Sequence, residues 1–157
     1  MRSPAAVSEL AKEKQFEDKC ALYLMHLRWP DIVVCIRCGG NRVLRFERHT
    51  RNGMIRHLFE CTQCRYQFSA TTGTMFHNSH LPLTKWFLAI QRVCAAETRV
   101  AAKQLERELA VSYETAWKVT RRIRSAMQDD QAFRLKFSGV DAIWRSSGPN
   151  ESPQLSA

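Results

Sequence analysis

"CIRCGG" at residues 35–40 is answered by "CTQC" at residues 61–64, and 22 residues separate the two Cys-x-x-Cys pairs. Four thiols in this arrangement admit three chemistries: a disulfide, a redox pair or a metal site. A redox motif uses one Cys-x-x-Cys in a βαβ setting. Here "VLRF" (43–46) and "HLFEC" (57–61) read as short strands around a turn, "RHTRNG" (48–53), with "YQFSA" (66–70) as a third strand. Two pairs across a hairpin suit a metal instead. A two-residue spacer lets one tight knuckle present both sulfurs to one ion, and Gly39 and Gly40 follow the first knuckle, where the backbone must turn sharply. Zinc takes four thiolates tetrahedrally. Cys35, Cys38, Cys61 and Cys64 are therefore read as ligands of one structural Zn2+ in a zinc ribbon. Such a ribbon is too small to hold itself together by an apolar core alone.

The remaining cysteines, Cys20 and Cys94, fall on apolar helical faces and read as small buried hydrophobes. His49, His57, His77 and His80 lie near the ribbon. Four cysteines already satisfy zinc, so these histidines read as surface or DNA-proximal residues.

The chain has 157 residues and a formal net charge of +9. Residues 28–65 carry 8 basic and 3 acidic side chains, and residues 84–127 carry 9 and 4, while residues 66–83 carry none. The positive excess thus lies around the cysteines and in a later helical stretch, which points to a polyanionic partner. The N-terminus lacks the apolar core of a secretory signal, and no apolar run approaches the length of a membrane helix. A cytoplasmic, reducing compartment without membrane attachment is expected, with nucleoid association through DNA.

Helical period marks residues 14–28, with Phe16, Cys20, Leu24 and Leu27 on one face, ending at "WPD" (29–31). It returns at Thr84. Trp86, Phe87, Ile90, Val93 and Cys94 line one helix, and Ala101, Ala102, Leu105 and Leu109 a second. Ser112 is a natural N-cap for a third, running to about Met127. The resulting architecture is α+β: a small zinc ribbon of short antiparallel strands followed by a three-helix helix-turn-helix domain. Residues 1–32 form the N-terminal helix and lead-in, 33–80 the ribbon, 81–137 the helix-turn-helix, and 138–157 a Ser- and Pro-rich tail that reads as disordered.

On a 100° wheel the third helix gathers Ala116, Val119, Thr120, Ile123 and Met127 on one side. Glu114, Thr115, Lys118, Arg121, Arg122 and Ser125 gather on the other. Such a helix can dock on its partners while offering a cationic, hydrogen-bonding face to the major groove of DNA. Its N-terminal residues are expected to reach base edges, and Arg121, Arg122 and Arg124 to meet phosphates. A charged outer face is also what any solvated amphipathic helix has; the basic ribbon before it favours DNA. Ala110 stands at the turn position that often holds glycine, and a left-handed conformation there costs an alanine of order 1 kcal/mol.

With these elements placed, the chain resembles the N-terminal region of bacterial insertion-sequence transposases. The stretches "LMHLRWPDIVVCIRCGGNRV" and "CTQCRYQFSATTGTMFHNSHLPLTKWFLAI" look like that family's zinc-ribbon domain, and "LERELAVSYETAWKVTRRIRSAM" like its helix-turn-helix. The resemblance covers about residues 14–139, and Thr72-Gly73-Thr74-Met75-Phe76-His77 is its most specific string. It implies binding to double-stranded DNA at the ends of a mobile element. In the family a ribonuclease-H-like domain with an acidic triad and divalent metal follows, and cuts and rejoins DNA. Here Asp141 falls near the place of the first catalytic aspartate, but the residues around it depart from the pattern and no catalytic residue is assigned. The expected function is DNA recognition in transposition, without enzymatic activity in this chain and with a full-length transposase as a second partner. The alternatives are a zinc-ribbon protein-interaction or transcription-regulating module, and the DNA-binding subunit of an active transposase.

Overall fold

The computed structural model describes residues 4–96, 100–140 and 143, with side chains from residue 11 onward. The chain forms two units, Met1–Asn78 and Ser79–Ala157.

The first unit holds helix α1 (Pro4–Arg28) and a three-stranded antiparallel sheet in the order β1 (Val43–His49), β2 (Ile55–Cys61), β3 (Gln67–Phe68). Helix α1 starts ten residues before the expected boundary, with Pro4 at its first position, where a missing N–H costs nothing. Its buried residues Cys20, Tyr23 and Leu24 follow the helical period. Strands β1 and β2 pair from Val43↔Cys61 to His49↔Ile55. They extend past the expected limits because the turn is tighter than its sequence suggested. The Thr50 N–H donates to the Met54 carbonyl (2.9 Å) and the Gly53 N–H to the Thr50 carbonyl (2.8 Å), with Gly53 at φ 74°. Strand alternation then sends His57, Phe59 and Cys61 inward and Arg56, Leu58 and Glu60 outward.

Phe59 and Phe68 stack at 5.5 Å, and Trp29 meets both edge-on at 5.3 and 5.7 Å. Cys35 and Cys61 are buried in the same cluster, so the sulfurs belong to the core rather than decorate it. His57 is buried too, which corrects its reading as a surface or DNA-proximal residue. Its Nδ1 lies 3.0 Å from Arg45 Nη2, and its Nε2 lies 2.5 Å from Asp18 Oδ1. A guanidinium can only donate, so Nδ1 accepts and Nε2–H donates to Asp18, tying β2 to α1. The third strand is two residues long rather than five. The Ser69 N–H is taken by Thr72 Oγ1 (2.9 Å), and the Arg28 guanidinium takes the carbonyls of Ala70 (3.0 Å) and Thr72 (2.6 Å). Those groups are no longer free to extend a ladder.

The second unit holds α2 (Leu83–Ala95), α3 (Ala102–Leu109), α4 (Tyr113–Asp129) and a short α5 (Phe133–Lys136). Trp86, Phe87, Ala89, Ile90 and Val93 bury one face of α2; Leu105 and Leu109 come from α3, and Ala116, Val119, Thr120 and Ile123 from α4. Phe137 closes this core against Phe87 and Phe133, at 5.6 and 4.8 Å between ring centroids. Of the stretch from Ser138 expected to be a disordered tail, Val140 and Ile143 are buried. Residues 141, 142 and 144–157 lie outside the described residues. Among the described residues no helix is long and apolar enough to cross a membrane.

Candidate metal centre and nucleic-acid interface

The two Cys-x-x-Cys segments fold alike. In the first, the Cys35 N–H donates to the Gly40 carbonyl (2.8 Å) and the Gly39 N–H to the Cys35 carbonyl (2.9 Å). In the second, the Cys61 N–H donates to Tyr66 (3.0 Å) and the Arg65 N–H to Cys61 (2.8 Å). The fifth residue of each knuckle is left-handed: Gly39 at φ 73° and Arg65 at φ 61°. Gly40 sits where the knuckles approach one another, since a Cβ there would fall 1.7 Å from Gln63 Oε1.

This repeated fold brings the four sulfurs within 4.8 Å of one another. Cys35 Sγ lies 3.6 Å from Cys64 Sγ, and Cys38 Sγ 3.6 Å from Cys61 Sγ. A disulfide needs about 2.05 Å, and all six cysteines are free. A tetrahedron with Zn–S bonds of about 2.3 Å has edges of about 3.8 Å. The observed separations fit that figure, and each close pair joins one knuckle to the other. The electrostatics suit a cation. Burial pushes the Cys35 thiol up, but the backbone N–H groups of Cys38 and Arg37 and the neighbouring thiols bring it down to about 6. The Cys61 thiol is lowered chiefly by the Cys64 N–H. Cys38 is pulled down by the Gly40 N–H, yet hydrogen bonding to Cys61, burial and the other two thiols outweigh this and take it to about 12. Protons are thus shared unevenly over a cluster that a metal can strip of them. The four cysteines form a site for one structural zinc, and as a closed all-thiolate set it has no position for substrate.

Cys20 and Cys94 stand apart from this cluster. Burial raises both thiols, consistent with inert, packed side chains.

In the second unit, Ala110 closes α3 in the left-handed region (φ 50°, ψ 52°), and Ser112 caps α4 by accepting the Thr115 N–H at 3.2 Å. This helix–turn–helix leaves Glu114, Lys118, Arg121 and Arg122 exposed along α4. Lys118 Nζ bonds Glu114 Oε1 at 2.6 Å, and this contact holds the Glu114 carboxyl below its usual range. Thr115 is half-buried against the cap, its Oγ1 2.9 Å from Ser112 Oγ. Arg124 is half-buried and donates to the Val100 carbonyl at 2.8 Å, fastening α4 to the segment before α3. Two aromatic residues went unnoticed in the sequence. Tyr113 and Trp117 are 51% and 46% exposed, and the Arg121 guanidinium lies over the Trp117 ring at 5.4 Å. Their signal was there: two aromatics four residues apart, outside the apolar stripe of the wheel.

Residues 16–67 match the family described as transposase zinc-ribbon domain. The chain is 31% identical over 111 residues to "Uncharacterized protein in transposable element ISH50" of Halobacterium salinarum, an alignment covering 71% of this chain and 36% of that protein. The chain thus spans about a third of the length of that relative. No solved structure matches it. Matched ribbon residues and converged sulfurs agree, and residues 16–67 of this chain form a zinc ribbon of the kind described as the transposase zinc-ribbon domain.

Proposed function

We propose that this chain recognises the ends of an insertion-sequence element by binding double-stranded DNA through α4, with the zinc ribbon as a metal-stapled companion module. The observation that carries this reading is the exposed face of α4, where Lys118, Arg121 and Arg122 stand beside Tyr113 and Trp117 just after a capped N-terminus. A helix-turn-helix places those positions in the major groove. Glu114, Thr115 and Lys118 then face base edges, Arg121 and Arg122 face phosphates, and Arg124 fastens α4 to the segment before α3 through its bond to Val100. The chain itself performs no strand cleavage in this reading. It occupies element ends in the cytoplasm, at the nucleoid, alone or beside a full-length transposase.

The test is a duplex selection followed by a mobility shift. Zinc-loaded chain should enrich a defined sequence from a random duplex pool. Lys118→Ala should flatten preference among sequences, whereas Arg122→Ala should weaken binding to all of them and reduce the log–log salt slope by about 0.9. With Mg2+ or Mn2+ the selected duplex should shift without nicking. Salt-insensitive binding, or enrichment of no duplex, would sink the proposal and favour a protein-interaction module.

A further inference from the structure

We infer that the β1–β2 hairpin tip is a second nucleic-acid contact, a phosphate clamp that grips duplex DNA without reading its sequence. The inference rests on the reading of the chain as a duplex-binding protein and assigns a separate surface to it. Arg48 and Arg56 are directly opposite in the hairpin register, and both are exposed. Directly opposed residues of an antiparallel pair hold their Cβ atoms about 5 Å apart, where like charges destabilise the sheet. An opposite-charge pair there would have stabilised the sheet. Arg51 projects from the turn immediately beyond them. Lys14 of α1 reaches the same place, because a Cβ at Gly53 would lie 2.7 Å from its Nζ.

None of these four cations has an ion-pair or hydrogen-bond partner for its side chain among the described residues. Three acids of this unit pair elsewhere. Asp18 holds His57, and Glu47 lies 3.8 Å from Arg45 on the covered face. Glu60 points to the open face but pairs with Arg65 and Gln67 at the zinc end. It stands four strand residues from Arg56, about 13 Å, which exceeds the screening length of about 8 Å at physiological salt. The tip therefore carries a concentrated excess of positive charge, and the polyanion that complements it is a phosphate backbone.

The experiment uses the whole zinc-loaded chain and the duplex it selects, beside a scrambled duplex. Arg48→Gln, Arg51→Gln and Arg56→Gln are made singly and together. Each should flatten the salt slope by about 0.9, the triple variant by up to about 2.7. The ratio of selected to scrambled affinity should stay at the wild-type value, in contrast to Lys118→Ala. Zinc content should not change. The melting temperature of the ribbon at low salt should hold or rise, because a repulsive pair has been removed; a structural role for the arginines would lower it. A triple variant with the wild-type slope overturns the clamp while leaving α4 as reader. A loss confined to single-stranded RNA or to vesicles containing acidic lipid, with duplex binding intact, also overturns it. Failure of the wild-type chain to bind any duplex removes both readings together.

Discussion

Replacing Cys35 with serine tests whether zinc and the apolar core of the ribbon are one structure. Cys35 and Cys61 are 2% and 0% exposed, and they share their cluster with Phe59 and Phe68. The serine hydroxyl would put a poor zinc ligand, and a polar group, into that cluster. Structural zinc sites in small domains contribute about 10–16 kcal/mol of apparent binding free energy at neutral pH. A whole domain is stable by about 5–15 kcal/mol. Losing even half of the zinc term would thus remove most of the stability of the first unit. The second unit has its own core and no ligand at the site, so it should survive.

The expected result for Cys35→Ser is zinc well below one per chain by elemental analysis and loss of the ribbon's cooperative melt, with the helical signal of α2–α4 retained. Chelation of wild-type protein should reproduce that pattern, and added zinc should reverse it. Cys94→Ala should keep its metal, since Cys94 lies outside the cluster of four. Cys35→Ser protein with one tightly held zinc and an unchanged melt would falsify the idea that the four sulfurs act as one site.

Ala110→Gly should stabilise the second unit. A left-handed alanine costs about 1–2 kcal/mol, the extra freedom of unfolded glycine returns about 0.5–1 kcal/mol, and Ala110 is exposed with little packing to lose. A net gain of about 0.5–1 kcal/mol corresponds to a rise of several degrees in melting temperature; a fall would refute the strain assignment. Trp117→Ala should leave the melt nearly unchanged, because the ring is half in solvent, yet weaken binding to the selected duplex. If the ring packs on a thymine methyl group, replacing thymine by deoxyuridine should cost the wild type about threefold to fivefold and the variant nothing. Arg124→Ala should lower the stability of the second unit by about 1–3 kcal/mol through the Val100 carbonyl it abandons, as read by denaturant titration; an unchanged midpoint would release Arg124 to a purely DNA-facing role.

Some features of this chain were legible because their information is local. A Cys-x-x-Cys knuckle is complete within six residues, and its partner repeats the same bonds, so spacing alone foretold the ligand set. The helices of the second unit were equally open to reading, since the period of Trp86, Phe87, Ile90 and Val93, or of Ala116, Val119 and Ile123, is fixed by the backbone itself. Ser112 and Ala110 could be assigned by the demands of cap and turn. What stayed hidden depends on partners distant in sequence. His57 looks like any exposed strand histidine until Asp18, 39 residues earlier, is brought to it. The Thr-Gly-Thr string was noticed as a motif without a reason. The reason is the turn it builds: Gly73 is left-handed at φ 73°, Thr72 Oγ1 accepts the Ser69 N–H, and the Arg28 guanidinium reaches 42 to 44 residues ahead to hold the carbonyls of Ala70 and Thr72.

The same distinction separates the two candidate DNA surfaces. The α4 face was visible on a wheel because helix geometry alone decides which side chains share it. The hairpin tip was not visible, because "RHTRNG" reads as a polar turn whatever it does. Only the register converts it: once Val43 faces Cys61, Arg48 must face Arg56, and a composition that looked like ordinary solubility becomes a repulsive pair. Had the register slipped by one residue, Arg48 would have shared a face with His57, and the zinc ligand Cys61 would have turned away from Cys35 and Cys38. Metal and charge cluster are therefore fixed by the same ladder. The zinc end pins the strands, and the pinned strands hold the arginines side by side at the far end.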